Sequence, residues 1–326
     1  MLTDLAESEL REYRSAQADP GDFDTFWADT LAASRGYELN VTVVPVKTGM
    51  VTIDVYDVTF AGYDGQPIKA WLRVPAGSSG PLPAVVQYVG YGGGRGEATE
   101  ELLWASAGYA HLHMDTRGQG SSWSTGATAD PVGSGPQIPG FMTRGIENRD
   151  TYYYRRLITD AVRAVDAARA LDLVDASRVA VLGGSQGGGL AIAVAGLVPD
   201  VTAAIAFVPF LCDFRRATTI TDNDPYREIA RYLSVHRDRV SQVHDTLAYF
   251  DGVNFAKRAS APAWFTAALM DPTCPPSTIF GAYHNYAGEK EITVWPYNGH
   301  EGGQGQDDAR VLGILASVFG AVGRAV

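Results

Sequence analysis

The sequence predicts an α/β fold: a mostly parallel central sheet with helices on both faces and a helical insertion after the sixth strand. Three observations carry that expectation. Short apolar, β-branched runs recur along the chain, and segments of helical periodicity separate them. Such alternation requires crossovers, which a parallel sheet covered on both faces supplies. One run, 179–184, stops at glycines and leads through Gly183-Gly184-Ser185-Gln186-Gly187 into a small-residue helical segment. Gly-x-Ser-x-Gly in a strand-to-helix setting has the form of a nucleophile elbow, which lifts a hydroxyl clear of the sheet.

Composition narrows the function classes. An apolar content of 46% and a charged content of 19% over 326 residues describe a globular chain with ample core. One domain over 1–326 fits this length, with an N-terminal helical extension over 1–40 and the insertion at about 211–258. The formal charge of −11 speaks against nucleic acid, whose phosphates would be repelled. No apolar run reaches the length of a membrane span. Residues 1–9 are acidic and lack a basic-then-apolar leader, so a cytoplasmic location is expected. Cys212 and Cys274 make no framework and no C-x-x-C, and both are expected to be reduced and buried.

In chain order, residues 3–18 and 22–35 carry helical patterns. Asp22 is the expected cap before Phe23, Phe26, Trp27 and Leu31. Alternating strands at 51–60 and 68–74 flank Tyr63-Asp64-Gly65-Gln66, a hairpin signal. The continuous apolar run 84–89 is the third strand, and Tyr91-Gly92-Gly93-Gly94 follows it. A helix at 100–107 ends at Gly108, and a fourth strand spans 109–114. Residues 121–149 are rich in Gly, Pro and Ser and read as a long loop, which in a compact domain is usually functional or mobile. The clearest helix is 149–171, with one apolar face from Tyr154 to Leu171. Strands at 179–184 and 203–208 bracket the elbow helix. Residues 211–258 are largely helical and polar, placed over the strand ends where open α/β sheets shape their substrates. Strands at 262–269 and 291–295 and a closing helix at 310–322 complete the chain.

Alternatives to the elbow are weaker. A phosphate-binding loop would need Gly-Lys-Ser/Thr or an opening G-x-G-x-x-G, and neither occurs. His111-x-His113-x-Asp115 puts three possible metal ligands on one strand face. No further ligands stand out at later strand ends, so the pair reads as half-buried packing histidines, and no metal or cofactor is expected. Arg117 is expected to brace its loop.

A serine hydroxyl needs a base to act as a nucleophile at neutral pH. His300 follows the strand 291–295 in a glycine-rich loop, and Asp271 follows the strand 262–269. Ser, Asp, His is the chain order of α/β-hydrolases. His236, His244 and His284 fall on helical stretches, Asp251 precedes a helix, and Asp222 and Asp224 lie in the insertion. An imidazole, the side chain whose ordinary pKa lies near ~6.5, suits His300 to take the serine proton and return it to a leaving alcohol. Asp271 would fix the imidazole tautomer. The backbone N–H groups of Gln186, next after the serine, and Tyr91, after the third strand, are the expected oxyanion donors.

These stretches, with Tyr88-Val89-Gly90-Tyr91, Arg117-Gly118-Gln119, Pro209-Phe210-Leu211-Cys212-Asp213-Phe214, Cys274-Pro275-Pro276-Ser277 and His300-Glu301, resemble the acetyl xylan esterase / cephalosporin C deacetylase family, carbohydrate esterase family 7. The resemblance implies an α/β-hydrolase fold, Ser185, Asp271 and His300 as the triad, and Tyr91 and Gln186 as the oxyanion hole. It makes Arg117, Gly118, Gln119 and Glu301 motif residues. Implied substrates are small acetylated sugars, short xylo-oligosaccharides and the 3-acetoxymethyl group of cephalosporins, and the implied assembly is a homohexamer with inward-facing sites. The Tyr91 ring and Pro225 are expected walls for the acyl group. The rivals are a general short-chain carboxylesterase, a peptidase of the same fold (with no propeller-sized domain ahead of the core) and a non-enzymatic scaffold.

Overall fold

The computed structural model describes residues 2–132 and 140–320. The expectations for residues 321–322 of the closing helix and for part of the 121–149 loop fall outside them. The chain opens with α1 (Glu7–Glu12) and α2 (Phe23–Arg35). The helix expected over 3–18 is thus only six residues long. Tertiary contacts override local propensity there: the Tyr13 hydroxyl donates to Asp213 Oδ2 at 2.7 Å and Arg216 stacks on the Tyr13 ring at 4.6 Å, drawing the backbone straight. Asp22 stands at the expected N-cap of α2, where its carbonyl accepts from Phe26 N at 2.9 Å, but its side chain makes no capping bond. Its carboxylate instead takes Arg149 at 2.7 Å and the Tyr249 hydroxyl. The apolar face of α2 packs Phe23, Phe26 and Trp27 against Tyr249, Phe250 and Phe255.

Next come β1 (Thr42–Val46), β2 (Ile53–Ala61), β3 (Pro67–Pro75), β4 (Leu82–Tyr88), α3 (Leu103–Ser106), β5 (Ala110–Met114), α4 (Tyr153–Arg169), β6 (Val174–Gly184) and α5 (Gln186–Leu197). They are followed by β7 (Ala203–Phe207), α6 (Phe214–Ile220), α7 (Tyr226–Val235), α8 (Val240–Leu247), α9 (Gly252–Ala256), β8 (Ala263–Ala268), α10 (Pro276–Asn285), β9 (Lys290–Trp295) and α11 (Gly305–Phe319). The nine strands form one sheet in the order β1-β2-β3-β5-β4-β6-β7-β8-β9. The β1, β2 and β3 pairings are antiparallel, including β3 with β5, and every pairing from β5 to β9 is parallel. The parallel register sets Tyr88 beside Gly183, Gly184 beside Phe207 and Ala268 beside Trp295, so the loops after β4, β6, β8 and β9 leave one edge together.

Three differences from expectation have local causes. Strand β1 carries no alternation because it is an edge strand, exposed at its first four positions, where Pro45 costs no ladder bond. The helix expected at 100–107 shrinks to α3 because Glu101 takes φ 53°, which a right-handed helix cannot contain. The closing helix starts earlier than 310, with Asp307 and Asp308 in its first turn, where carboxylates favour the positive end of the helix dipole. Both cysteines are free and buried as expected. Among the described residues no helix is long and apolar enough to cross a membrane.

His111 and His113 lie on β5, stacked 5.6 Å apart, and are buried rather than half-buried. Burial, with Arg73 nearby, pushes both imidazoles down, His113 to about 3. An unfolded histidine takes up its proton near ~6.5. Each ring therefore contributes stability that is complete above that pH and is lost as the pH falls toward the folded value, by up to about 1.4 kcal/mol per pH unit. Urea midpoints measured from pH 7 to pH 4 are expected to decline, and His113→Phe to flatten the decline. An identical acid slope in that variant would contradict it.

Candidate active site

Strand β6 runs straight into Ser185, whose backbone sits at φ 54° and ψ −119°. A side chain in that region is strained by about 1–3 kcal/mol and persists only where its surroundings fix it. Here the fixing groups are explicit. Ser185 N donates to Phe207 O at 2.9 Å, and Ser185 O accepts from Phe210 N at 2.9 Å and Gly189 N at 3.0 Å. The flanking glycines serve close approach rather than a special φ. A Cβ on Gly187 would stand 2.2 Å from Tyr88 O, and one on Gly183 would stand 2.4 Å from the Gly187 carbonyl carbon. Helix α5 begins at Gln186, so its free N–H groups and positive dipole end face the serine.

Asp271 lies in the loop after β8, fully buried. Its Oδ1 accepts from Thr273 N at 2.8 Å and Cys274 N at 2.9 Å, while Oδ2 stands 2.8 Å from His300 Nδ1. An acceptor-only carboxylate there fixes the proton on Nδ1 and leaves Nε2 as the acceptor. His300 lies in the loop after β9, and its side chain is about a third exposed, at 32%. Met270 N donates to Asn298 O at 3.0 Å, tying the two loops together. The Glu301 carboxylate folds back to accept from Gly299 N and Asn298 Nδ2 at 3.1 Å. Backbone N–H donors, its own and that of Gly299, hold its carboxyl below the usual range.

Ser185 and His300 line two cavities together. One, of about 220 Å³, adds Phe207, Val208, Asp307 and Asp308. The other, of about 310 Å³, adds Gly90, Tyr91, Trp123, Asp224, Pro225 and Thr273. The Ser185 hydroxyl also meets the buried Cys274 thiol. The structure thus sets the expected serine and histidine on one rim, with the buried aspartate behind the histidine and Tyr91 and Pro225 in the wall. Of the other candidates, Asp224 also lines the second cavity, its carboxylate taking Arg231 Nη2 at 2.9 Å through both oxygens, and the rest go elsewhere. Asp251 caps α9, accepting from Val253 N at 2.9 Å, and burial raises its carboxyl to about 7. His236 stacks on Tyr232, His244 is buried on α8, and His284 bonds to Leu10 O. Asp115 spends its carboxylate on Arg95 N and Ala127 N. Among the described residues the grouping that could gather around an ion is Asp271, Cys274 and His300, whose Nδ1 is already engaged.

The Arg117-Gly118-Gln119 turn explains how the loop after β4 is held. Arg117 is fully buried and grips Asp160 at 2.5 and 2.8 Å, with Asp130 at 3.5 Å, which is the expected brace. Gly118 turns the chain at φ 69°. Gln119 Oε1 then accepts from Gly92 N at 2.7 Å, and its Nε2 donates to Gln186 Oε1 at 3.0 Å. The Gln186 side chain donates in turn to Val89 O at 3.1 Å and accepts from the Tyr154 hydroxyl at 2.9 Å. One buried glutamine therefore locks the segment carrying Tyr91 N against the residue carrying Gln186 N.

One wall residue, Trp123, and one residue that anchors the wall, Glu228, escape sequence reasoning. Trp123 is 64% exposed, donates Nε1 to Tyr91 O at 2.8 Å and stands over the serine cavity. Its one sequence signal is a lone tryptophan in the Gly- and Ser-rich loop. Glu228 accepts from the Tyr91 hydroxyl at 2.7 Å, and burial raises its carboxyl. The Tyr91 hydroxyl also accepts from Phe141 N at 2.7 Å, so this ring is a fixed wall.

Comparison with known proteins agrees with the geometry. Residues 1–317 match the model of the acetyl xylan esterase family. Acetyl esterase Axe7A of Xylanibacter ruminicola is 30% identical over 296 residues, which are 86% of this chain and 64% of that protein, so the chain spans just under two thirds of its length. The acetyl xylan esterase of Paenibacillus sp. R4 superposes with a TM-score of 0.91 at 40% identity, covering 96% of this chain and 100% of that one. Acetyl xylan esterase 1 of Thermoanaerobacterium sp. JW/SL YS485 gives 0.88 at 31% identity, over 96% and 98%.

Proposed function

The chain belongs to the acetyl xylan esterase family, an α/β-hydrolase fold, and from that premise we propose that it is a serine esterase removing acetyl groups from small acetylated sugars, xylo-oligosaccharides and cephalosporin C. The observation that carries the reading is the 2.8 Å bond from a buried, amide-held Asp271 to His300 on the rim of the serine cavity. His300 Nε2 takes the Ser185 proton as Oγ bonds to the acetyl carbon. The negative oxygen is received by the N–H groups of Tyr91 and Gln186, donors of a kind each worth about 10²–10³ in rate. The tetrahedral intermediate collapses by breaking the bond to the sugar oxygen, and the imidazolium gives that oxygen its proton. Water then repeats the sequence on the acetyl-enzyme, releasing acetate and restoring the hydroxyl.

Tyr91, anchored at its hydroxyl, and Pro225 limit the acyl side of the 310 Å³ cavity. Hydrolysis of p-nitrophenyl esters is expected to fall steeply from acetate to butyrate, by about 10–200-fold for each added methylene that the pocket cannot take. Acetylated xylobiose, glucose pentaacetate and cephalosporin C assayed side by side would rank the alcohols. Equal turnover of octanoate would replace the proposal with a general carboxylesterase.

A further inference from the structure

Past Gly184 and Trp123, a separate cavity of about 480 Å³ opens beside the serine, within the ~300–1,000 Å³ that small-molecule sites occupy. It shares Gly184 with one serine cavity and Gly90 and Trp123 with the other. Its wall is built from polar groups. Gln87 holds Glu101 Oε2 through Nε2 at 3.1 Å and accepts from Trp104 Nε1 at 3.0 Å. Arg95, stacked on Trp71 at 3.8 Å, spends its charge inside the protein on Asp57 Oδ1 at 2.7 Å and Ala70 O at 2.8 Å. His113 lines the cavity while only 5% exposed, and its Nδ1 has no hydrogen-bond partner. Glu101 is held at φ 53°, in the left-handed region where glycine is at ease and a side chain is not. A strained glutamate kept at the mouth of a cavity that adjoins a serine site marks a position where the side chain outweighs the backbone cost. Asp308, in the neighbouring serine cavity, lies within electrostatic reach of Glu101, so both spaces open on one acidic rim.

We propose that this cavity receives the alcohol part of the substrate, an uncharged pyranose whose hydroxyls bond Glu101, Gln87 and His113 and whose ring lies against Trp123. The proposal rests on the esterase reading above and deepens it. Carboxylates accept strongly from hydroxyl donors, and a neutral imidazole supplies one donor and one acceptor. An alcohol part carrying a carboxylate would meet Glu100, Glu101 and Asp308, so among the substrates proposed above the site favours neutral glycosides over cephalosporin C, which carries carboxylates.

The test compares kcat/KM on acetylated xylobiose and on p-nitrophenyl acetate in wild type, Glu101→Gly and Glu101→Gln, together with inhibition of the aryl ester by free xylobiose. The ratio of sugar to aryl efficiency is expected to fall about tenfold in both variants, the effect of one charge-assisted hydrogen bond, and xylobiose inhibition to weaken alongside. Glu101→Gly, which relieves the backbone, is expected to melt no lower than wild type, and Glu101→Gln keeps the assay readable should the glycine variant misfold. An unchanged ratio and unchanged inhibition in an active enzyme overturns the subsite. Wild type inert on every acetyl ester instead overturns the esterase reading, and the subsite with it.

Discussion

Ser185→Ala is expected to lower kcat on p-nitrophenyl acetate by about 10⁶-fold, as loss of an activated serine nucleophile does elsewhere. The fold is expected to survive. The strained backbone at φ 54° is fixed by Phe207, Phe210 and Gly189 through main-chain bonds, which the substitution leaves in place. Alanine removes only a hydroxyl that meets the Cys274 thiol. A fluorophosphonate is expected to label wild type once per chain, with no label on Ser185→Ala and only a trace on His300→Ala. Full labelling of the serine variant, with native circular dichroism, would place the nucleophile elsewhere.

Asp271→Asn is expected to cost about 10⁴-fold in kcat, the magnitude that a reversed imidazole tautomer brings in a serine triad. The local geometry makes the direction of the error specific. Oδ1 accepts from two backbone amides, Thr273 and Cys274, so an asparagine would keep its oxygen there. Its NH₂ would then face His300 Nδ1 where Oδ2 now stands. The ring would turn to an Nδ1 acceptor and carry its proton on Nε2, unable to take one from Ser185. Circular dichroism and melting should stay close to wild type because both amide partners are kept. Activity within about tenfold of wild type would mean that the tautomer is set by something else and that the triad assignment is wrong.

Sequence makes the elbow readable because its chemistry is local: a strand, a serine and glycines without which Tyr88 and Gly187 would collide with a Cβ. Asp271 and His300 are readable only through chain order and strand ends, since nothing local distinguishes Asp271 from Asp251, a helix cap. What stays hidden is whatever depends on partners far along the chain. Tyr13 leaves its helix for Asp213, Asp22 gives up its side-chain capping bond for Arg149, and Glu101 interrupts a helix by a backbone angle that composition does not reveal. The roles of Gln119 and Trp123 are hidden for the same reason. Each acts by reaching a main-chain atom of the Tyr91–Gly92 segment, and that proximity exists only after folding.

The buried bond from Gln119 to Gly92, with its link to Gln186, has an evolutionary corollary. Reaction machinery is anchored from beneath, whereas Glu101 and Trp123 of the proposed alcohol subsite belong to loops outside the sheet. Descendants of this gene can therefore drift toward new esters by exchanging outward residues while inheriting an unaltered engine.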